Sequence, residues 1–351
     1  MNNKIVQFVA MSKYAGMRED IIQAGGGNSS VKLEDDRMLI KASGVQLADL
    51  TEESGYTVVN PKVIIEFFNN KTVDEINASD ENKLLNDSLI SGMRPSIETF
   101  LHSITDIFTL HSHPMLVNVL TAREQGIEVL KSLFPHALMV DYATPGINLA
   151  KEYFKTYNNA NKEKIFDVIF LKNHGLIVSG KTGKEVVEKT EKVLLMIEDY
   201  LKVNMQAYHD VTKIFFEIQK ISLLKNKIVY LSNDININMS LNKLGGLWNS
   251  YFCPDCLVYC GKRPVILREL FTNEDIKKHM MEYGNPVVLY YKEKIYILAN
   301  NLKKAKEIES VLSFSGQVAV LNSNYKMDLL SDNEQNFLLN WESEKYRQEM
   351  K

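Results

Sequence analysis

Two imidazoles two residues apart constrain this chain most. His111 and His113, in Leu110-His111-Ser112-His113-Pro114, follow the strand-like run Ile107-Phe108-Thr109-Leu110. About sixty residues later His174 stands in Leu171-Lys172-Asn173-His174-Gly175, between the apolar runs Val168-Ile169-Phe170-Leu171 and Leu176-Ile177-Val178. Alternate residues of a strand share a face, so His111 and His113 can converge on one ion. Asn-His-Gly between two strands reads as a hairpin tip, from which His174 reaches a site formed elsewhere. Three imidazoles without a thiolate suit Zn²⁺ with an exchangeable fourth position, and other divalent transition ions bind such a set too. Each histidine alone is an ordinary polar residue. The combination, with Glu98 just upstream in Pro95-Ser96-Ile97-Glu98, points to a metal site with an acid/base beside it.

The length of 351 residues accommodates two domains with substantial cores. Net charge is −3 with 24% charged residues, and no basic run is interleaved with aromatics, which argues against a nucleic-acid partner. The opening residues Met1-Asn2-Asn3-Lys4-Ile5 carry no apolar signal region, and no apolar stretch reaches membrane-spanning length. A cytoplasmic location with no membrane partner is the expectation. The three cysteines, Cys253, Cys256 and Cys260, are too few and odd in number for a disulfide scaffold. Cys253-x-x-Cys256 suits a redox pair or half of a metal site, but no second pair completes a zinc ribbon, so free structural thiols are expected.

Helical and strand-like patterns alternate through the first two thirds. Residues 4–17 are helical. Val31-Lys32 pairs with Met38-Leu39-Ile40-Lys41 across Glu34-Asp35-Asp36, and residues 182–205 form a long amphipathic helix with Val186, Val193, Leu194, Ile197 and Leu201 on its apolar side. A composition shift after Lys220 divides the chain into residues 1–220 and a smaller α+β unit, 221–351. That unit holds a hairpin across Lys292-Glu293, a helix over 302–314, a strand at Val318-Ala319-Val320-Leu321 and a closing helix over 332–346.

Ala24-Gly25-Gly26-Gly27-Asn28-Ser29-Ser30 is a loop whose amides and side chains suit an anion, although it is neither a P-loop nor a dinucleotide fingerprint. Ala42-Ser43-Gly44 offers further donors, and Ser96 reads as a helix N-cap. Glu98 then falls in the first helical turn, where the dipole favours a carboxylate, with His102 four residues on.

Taken together, the 24–30 loop, Lys41-Ala42-Ser43-Gly44, Pro95-Ser96-Ile97-Glu98, His111-Ser112-His113-Pro114 and Asn173-His174-Gly175 resemble the class II aldolase/adducin family over residues 1 to about 210. The resemblance implies an α/β fold of three layers, with helices flanking a mostly antiparallel sheet. It implies Zn²⁺ held by His111, His113 and His174, with Glu98 as acid/base. Gly27, Asn28, Ser29, Ser43, Gly44 and Ser96 would bind the substrate phosphate. Tyr142, in Asp141-Tyr142-Ala143, would reach a neighbouring subunit's site and help protonate an aldehyde oxygen. The implied activity is that of a lyase, an aldolase acting on a phosphorylated ketose through a metal-stabilised enediolate, in a homotetramer. Decarboxylation, dehydration or epimerisation on the same site are the alternatives, and an adducin-like interaction module is a further one. Ile97 departs from the family, where fuculose-phosphate aldolase has a second serine. Residues 247–351 are similar to the segment that joins aldolase to dehydrogenase in bifunctional rhamnulose-phosphate aldolase/short-chain dehydrogenase proteins, most clearly at Asn340-Trp341-Glu342. No Rossmann fingerprint occurs.

Overall fold

The computed structural model describes residues 2–161, 165–241 and 251–340. The chain divides into two compact units, Met1–Met205 and Gln206–Lys351. The division falls one helix earlier than the composition shift suggests.

In the first unit, α1 (Asn2–Gly16) precedes the meander β1 (Asn28–Lys32), β2 (Met38–Lys41) and β3 (Tyr56–Val59). Next come α2 (Pro61–Asn70), α3 (Asp80–Ser88), β4 (Leu89–Ser91) and the single turn α4 (Thr99–His102). They are followed by β5 (Phe108–Ser112), α5 (Met115–Thr121), α6 (Gly126–Leu133), β6 (Leu138–Val140) and α7 (Ile147–Asn161). The hairpin β7 (Val168–Leu171) and β8 (Gly175–Gly180) leads to α8 (Gly183–Leu201). The eight strands form one sheet, ordered β4-β3-β2-β1-β5-β8-β7-β6. Only β6 and β7 run parallel. Asp35 and Asp36 both adopt positive φ and turn β1 into β2, a conformation that short polar side chains tolerate.

The sheet's two faces follow from register. His111 pairs with Ile177 and Asn28, and paired residues point the same way. Ile177 belongs to a core built with Phe68 of α2, Leu84 of α3, Phe100 of α4 and Tyr153 of α7, so His111 and Asn28 share that side. Phe68 and Phe154 stack there with centroids 4.1 Å apart. The opposite side is covered by α1 and α8, whose Phe8, Met11, Val186, Leu194 and Ile197 are buried. The helix expected over 182–205 starts at its N-cap Thr182 and ends at Lys202, which adopts the left-handed conformation.

In the second unit, α9 (Gln206–Ile218), β9 (Ile228–Leu231), α10 (Ile235–Ser240), α11 (Pro254–Cys260), β10 (Val265–Ile266), α12 (Asn273–Tyr283), β11 (Val288–Tyr291), β12 (Lys294–Ala299), α13 (Leu302–Leu321) and α14 (Asp332–Asn340) follow in order. Their sheet runs β10-β11-β12-β9. Lys292 and Glu293, both at positive φ, make the expected hairpin turn. The strand expected at 318–321 is instead the last turn of α13. Its β-branched valines are carried by a helix whose buried side, with Leu312, Ser315, Gly316 and Ala319, packs on α10 and α11. The closing helix is described to Asn340, and residues 341–346 of the expected helix and motif lie outside the described residues.

Candidate metal centre

β5 and the β7–β8 hairpin place the three imidazoles. His111 is the fourth residue of β5 and fully buried, and His113 follows the strand, its N–H donating to the Ile21 carbonyl at 3.0 Å. His174 sits at the hairpin tip after Asn173, which adopts positive φ, and its N–H donates to the Leu171 carbonyl at 3.1 Å. The next residue must be glycine: a Cβ at Gly175 would lie 2.2 Å from the Ser112 carbonyl oxygen and 3.0 Å from Cδ2 of His113. Gly27 is equally confined at φ +69°, with Ile22 and the His111 carbonyl where its Cβ would be. Close backbone approach therefore explains this glycine, beside any part in holding a phosphate.

The three Nε2 atoms converge. That of His111 lies 3.1 Å from His113 Nε2 and 3.3 Å from His174 Nε2. Oε1 of Glu98 lies 3.3 Å from His111 Nε2 and 3.4 Å from His174 Nε2. All four ligand atoms fall within 4.8 Å of one another. A tetrahedral zinc with bonds of about 2.0–2.1 Å sets adjacent ligand atoms roughly 3.3 Å apart, and these four distances match that spacing. Among the described residues this is the one group of three or more His, Cys, Asp or Glu side chains that converges so. His111 Nδ1 is buried and has no partner among the described residues, so no protein acceptor fixes this ring's tautomer.

Glu98 is itself the N-cap of α4, at φ −84° and ψ 0°, and its carboxylate makes no capping bond. Ser96 stands two residues before, its Oγ accepting the Glu98 N–H at 3.3 Å, so the expected N-cap is displaced. The carboxylate faces the imidazoles instead of the helix end. Burial pushes its pKa up, but His111 and His174 outweigh burial and hold it well below the usual carboxylate range. A nonpolar pocket alone would raise it, and the imidazoles reverse that sign. Ile97 is partly buried against the core cluster that holds Phe100 and Ile177, where an apolar side chain belongs.

His102 does not partner Glu98. It is fully buried, its Nδ1 lies 2.8 Å from Ser30 Oγ, and burial pushes its pKa down to about 3. Lys41, quoted in the sequence motif without a role, is buried at the end of β2 with Nζ 2.9 Å from the Val45 carbonyl. Burial lowers its pKa and the Glu98 charge opposes that shift, so the two groups sense each other. The sequence signal was a lysine directly before Ala-Ser-Gly.

The loops expected to hold phosphate are partly brought together. An isolated bridge joins Ala42 to Pro95, and the Ser43 N–H donates to the Arg94 carbonyl at 3.1 Å, so the Ser43-Gly44 turn borders the loop carrying Ser96. Asn28 is buried on the His111 face, and its Nδ2 has no acceptor among the described residues. Ser29 departs from the expectation. Strand alternation turns it to the other face, where its Oγ lies 2.7 Å from Ser12 Oγ of α1. Tyr142 follows β6, is 57% exposed, and has no hydrogen-bond partner among the described residues.

Comparison with known proteins gives a match to the family described as Class II Aldolase and Adducin N-terminal domain, over residues 6–201. Similar solved structures include the N-terminal class II aldolase domain of a Thermoplasma acidophilum protein, at 26% identity and TM-score 0.49, covering 56% of this chain and 92% of that one. A sugar-phosphate aldolase from Thermotoga maritima is similar at 14% identity and TM-score 0.42, covering 56% and 94%. An L-fuculose 1-phosphate aldolase from Glaciozyma antarctica PI12 is similar at 14% identity and TM-score 0.37, covering 57% and 72%. No curated protein matches. None of the findings points to a bifunctional dehydrogenase relative. The matched stretch spans more than half of the chain and contains all four converging side chains, so the protein belongs to the class II aldolase and adducin N-terminal domain family, which supports an enzyme of aldolase-like type.

Proposed function

We propose that the protein is a zinc-dependent lyase that cleaves or forms a carbon–carbon bond in a phosphorylated ketose, with His111, His113 and His174 as metal ligands and Glu98 as acid/base. The observation that carries this reading is the Glu98 carboxylate set 3.3 and 3.4 Å from two of three converging imidazole nitrogens. A divalent ion bound there supplies Lewis-acid stabilisation of the negative charge that develops on substrate oxygen. Glu98 takes and returns the proton at the carbon beside the substrate carbonyl. Its carboxylate stands beside the imidazole set, where it can accept that proton. Lys41, buried and coupled to Glu98, adds positive charge near the developing anion.

Asn28 presents an unfilled donor on the same face as His111, and the Gly44 amide with the Ser43 and Ser96 hydroxyls adds donors for the substrate phosphate. Ser29 is left out of that role by its bond to Ser12. Tyr142, exposed on the segment after β6, is placed in this reading at a neighbouring subunit's site in a tetramer, where its hydroxyl protonates an aldehyde oxygen. The protein then works in the cytoplasm on a small sugar phosphate.

The test is a screen of phosphorylated ketoses and keto acids for retro-aldol cleavage, with zinc and with a chelator. Chelator-sensitive aldehyde release that Glu98→Gln abolishes supports the reading. Carbon dioxide release, dehydration or epimerisation by the same four side chains would replace the aldolase assignment. Full chelator-resistant activity would remove the metal from it.

A further inference from the structure

Cys253 and Cys256 meet at the start of α11. Cys253 is the N-cap, with extended backbone at φ −143° and ψ 157°, and Pro254 begins the helix. One helical turn returns Cys256 beside it, with the two Sγ atoms 3.2 Å apart. Cys256 is buried, and its Sγ lies 2.7 Å from Ser315 Oγ of α13. Cys253 is only half-buried, so it is the more exposed residue of the pair. Cys260, at the far end of α11, is buried. The three thiols do not converge as a metal-ligand set among the described residues. A disulfide requires a sulfur–sulfur distance of about 2.05 Å, so the pair closes with a movement of roughly 1 Å.

We infer that Cys253 and Cys256 form a thiol–disulfide exchange site for low-molecular-weight disulfides, with Cys253 as the entry thiol and Cys256 as the resolving thiol. The Cys253 thiolate attacks one sulfur of the small disulfide. A mixed disulfide forms, and the other half leaves as a thiolate that takes up the proton Cys253 released. The Cys256 thiolate then attacks Cys253 Sγ and displaces the first half, which takes up the proton Cys256 released. Two protein thiols are oxidised to one disulfide while the small disulfide is reduced to two thiols. Burial pushes the Cys256 thiol up to about 12, the Cys253 thiol pushes it the same way, and the Ser315 hydroxyl opposes both. The Ser315 contact fixes Cys256 Sγ beside Cys253 for the resolving step.

The reduced full-length protein is freed of reductant and incubated with oxidised glutathione at about pH 8, where ordinary thiols ionise. Intact and peptide mass spectrometry then follow the three thiols. The wild type should lose Cys253 and Cys256 together, in a disulfide within one peptide, with no adduct retained. Cys256→Ser should retain glutathione on Cys253, and Cys253→Ser should react at least about tenfold more slowly, as its remaining thiols are buried. A persistent adduct on wild-type Cys253, a disulfide that includes Cys260, or three unchanged thiols would overturn the inference. The wild-type result decides the matter even where a variant does not fold.

Discussion

Gly175→Ala should damage the candidate metal site without changing any of its four converging side chains. The new Cβ would stand 2.2 Å from the Ser112 carbonyl oxygen and 3.0 Å from His113 Cδ2. A carbon and an oxygen settle at roughly 3.3 Å or more, so Ser112 and residue 175 must part by about 1 Å. That opens the β5–β8 ladder where Ser112 pairs with Leu176, between His111 and His113 on one strand and His174 on the other. Metal–ligand distances tolerate about 0.2 Å, so one imidazole leaves the set. We expect zinc affinity to fall at least about 100-fold, or about 2.7 kcal/mol. Strain in the packed ladder should lower unfolding stability by about 1–3 kcal/mol in chelator. Gly25→Ala is the control, since its Cβ would meet nothing within 4 Å, and both quantities should hold within about 0.5 kcal/mol. Competition with a chromophoric chelator measures the first quantity and urea unfolding the second. Wild-type zinc affinity in Gly175→Ala would refute the idea that strand spacing sets the ligand positions.

Glu98→Gln should keep zinc within about tenfold, because three imidazoles remain, while turnover falls about 10²–10⁴-fold; unchanged kcat would remove Glu98 from proton transfer. His111→Ala should abolish stoichiometric zinc, checked by elemental analysis after desalting. Phe154→Ala removes a buried ring stacked on Phe68 and should cost about 3–5 kcal/mol in denaturant unfolding, with less than about 1 kcal/mol excluding a core role. His102, lowered to about 3 when folded against an ordinary 6.5, stays neutral while the unfolded chain takes up a proton. Its stabilising contribution is present above about pH 6.5 and is lost as pH falls toward 3, by roughly 3 kcal/mol at pH 4. His102→Gln in chelator should flatten the stability slope over that window by about one proton, and an unchanged slope would contradict the buried neutral state.

Much of the sheet was legible because its signals are local. The Asp35-Asp36 and Lys292-Glu293 turns and the β7–β8 hairpin are set by short-range backbone chemistry. The strand expected at 318–321 was not legible, since those valines alternate as a strand would and only packing on α10 and α11 makes them helical. At the candidate site, motif spacing drew attention to Glu98 and the three histidines. It did not reveal that Ser29 turns away to Ser12 while Asn28 faces the His111 side, because strand residues must be assigned to faces before they can be assigned to ligands. The Ser30–His102 contact joins residues far apart in the chain, and no local pattern marks it.

The sequence by itself determined the donor types, the period-two spacing of His111 and His113, and the hairpin that carries His174, because these depend on neighbours along the chain. Only the tertiary structure decided that β8 lies against β5 and that a carboxylate from the turn before α4 joins the imidazole set. Sheet order and charge proximity arise from contacts between distant segments, and their energies exist only once the chain has packed.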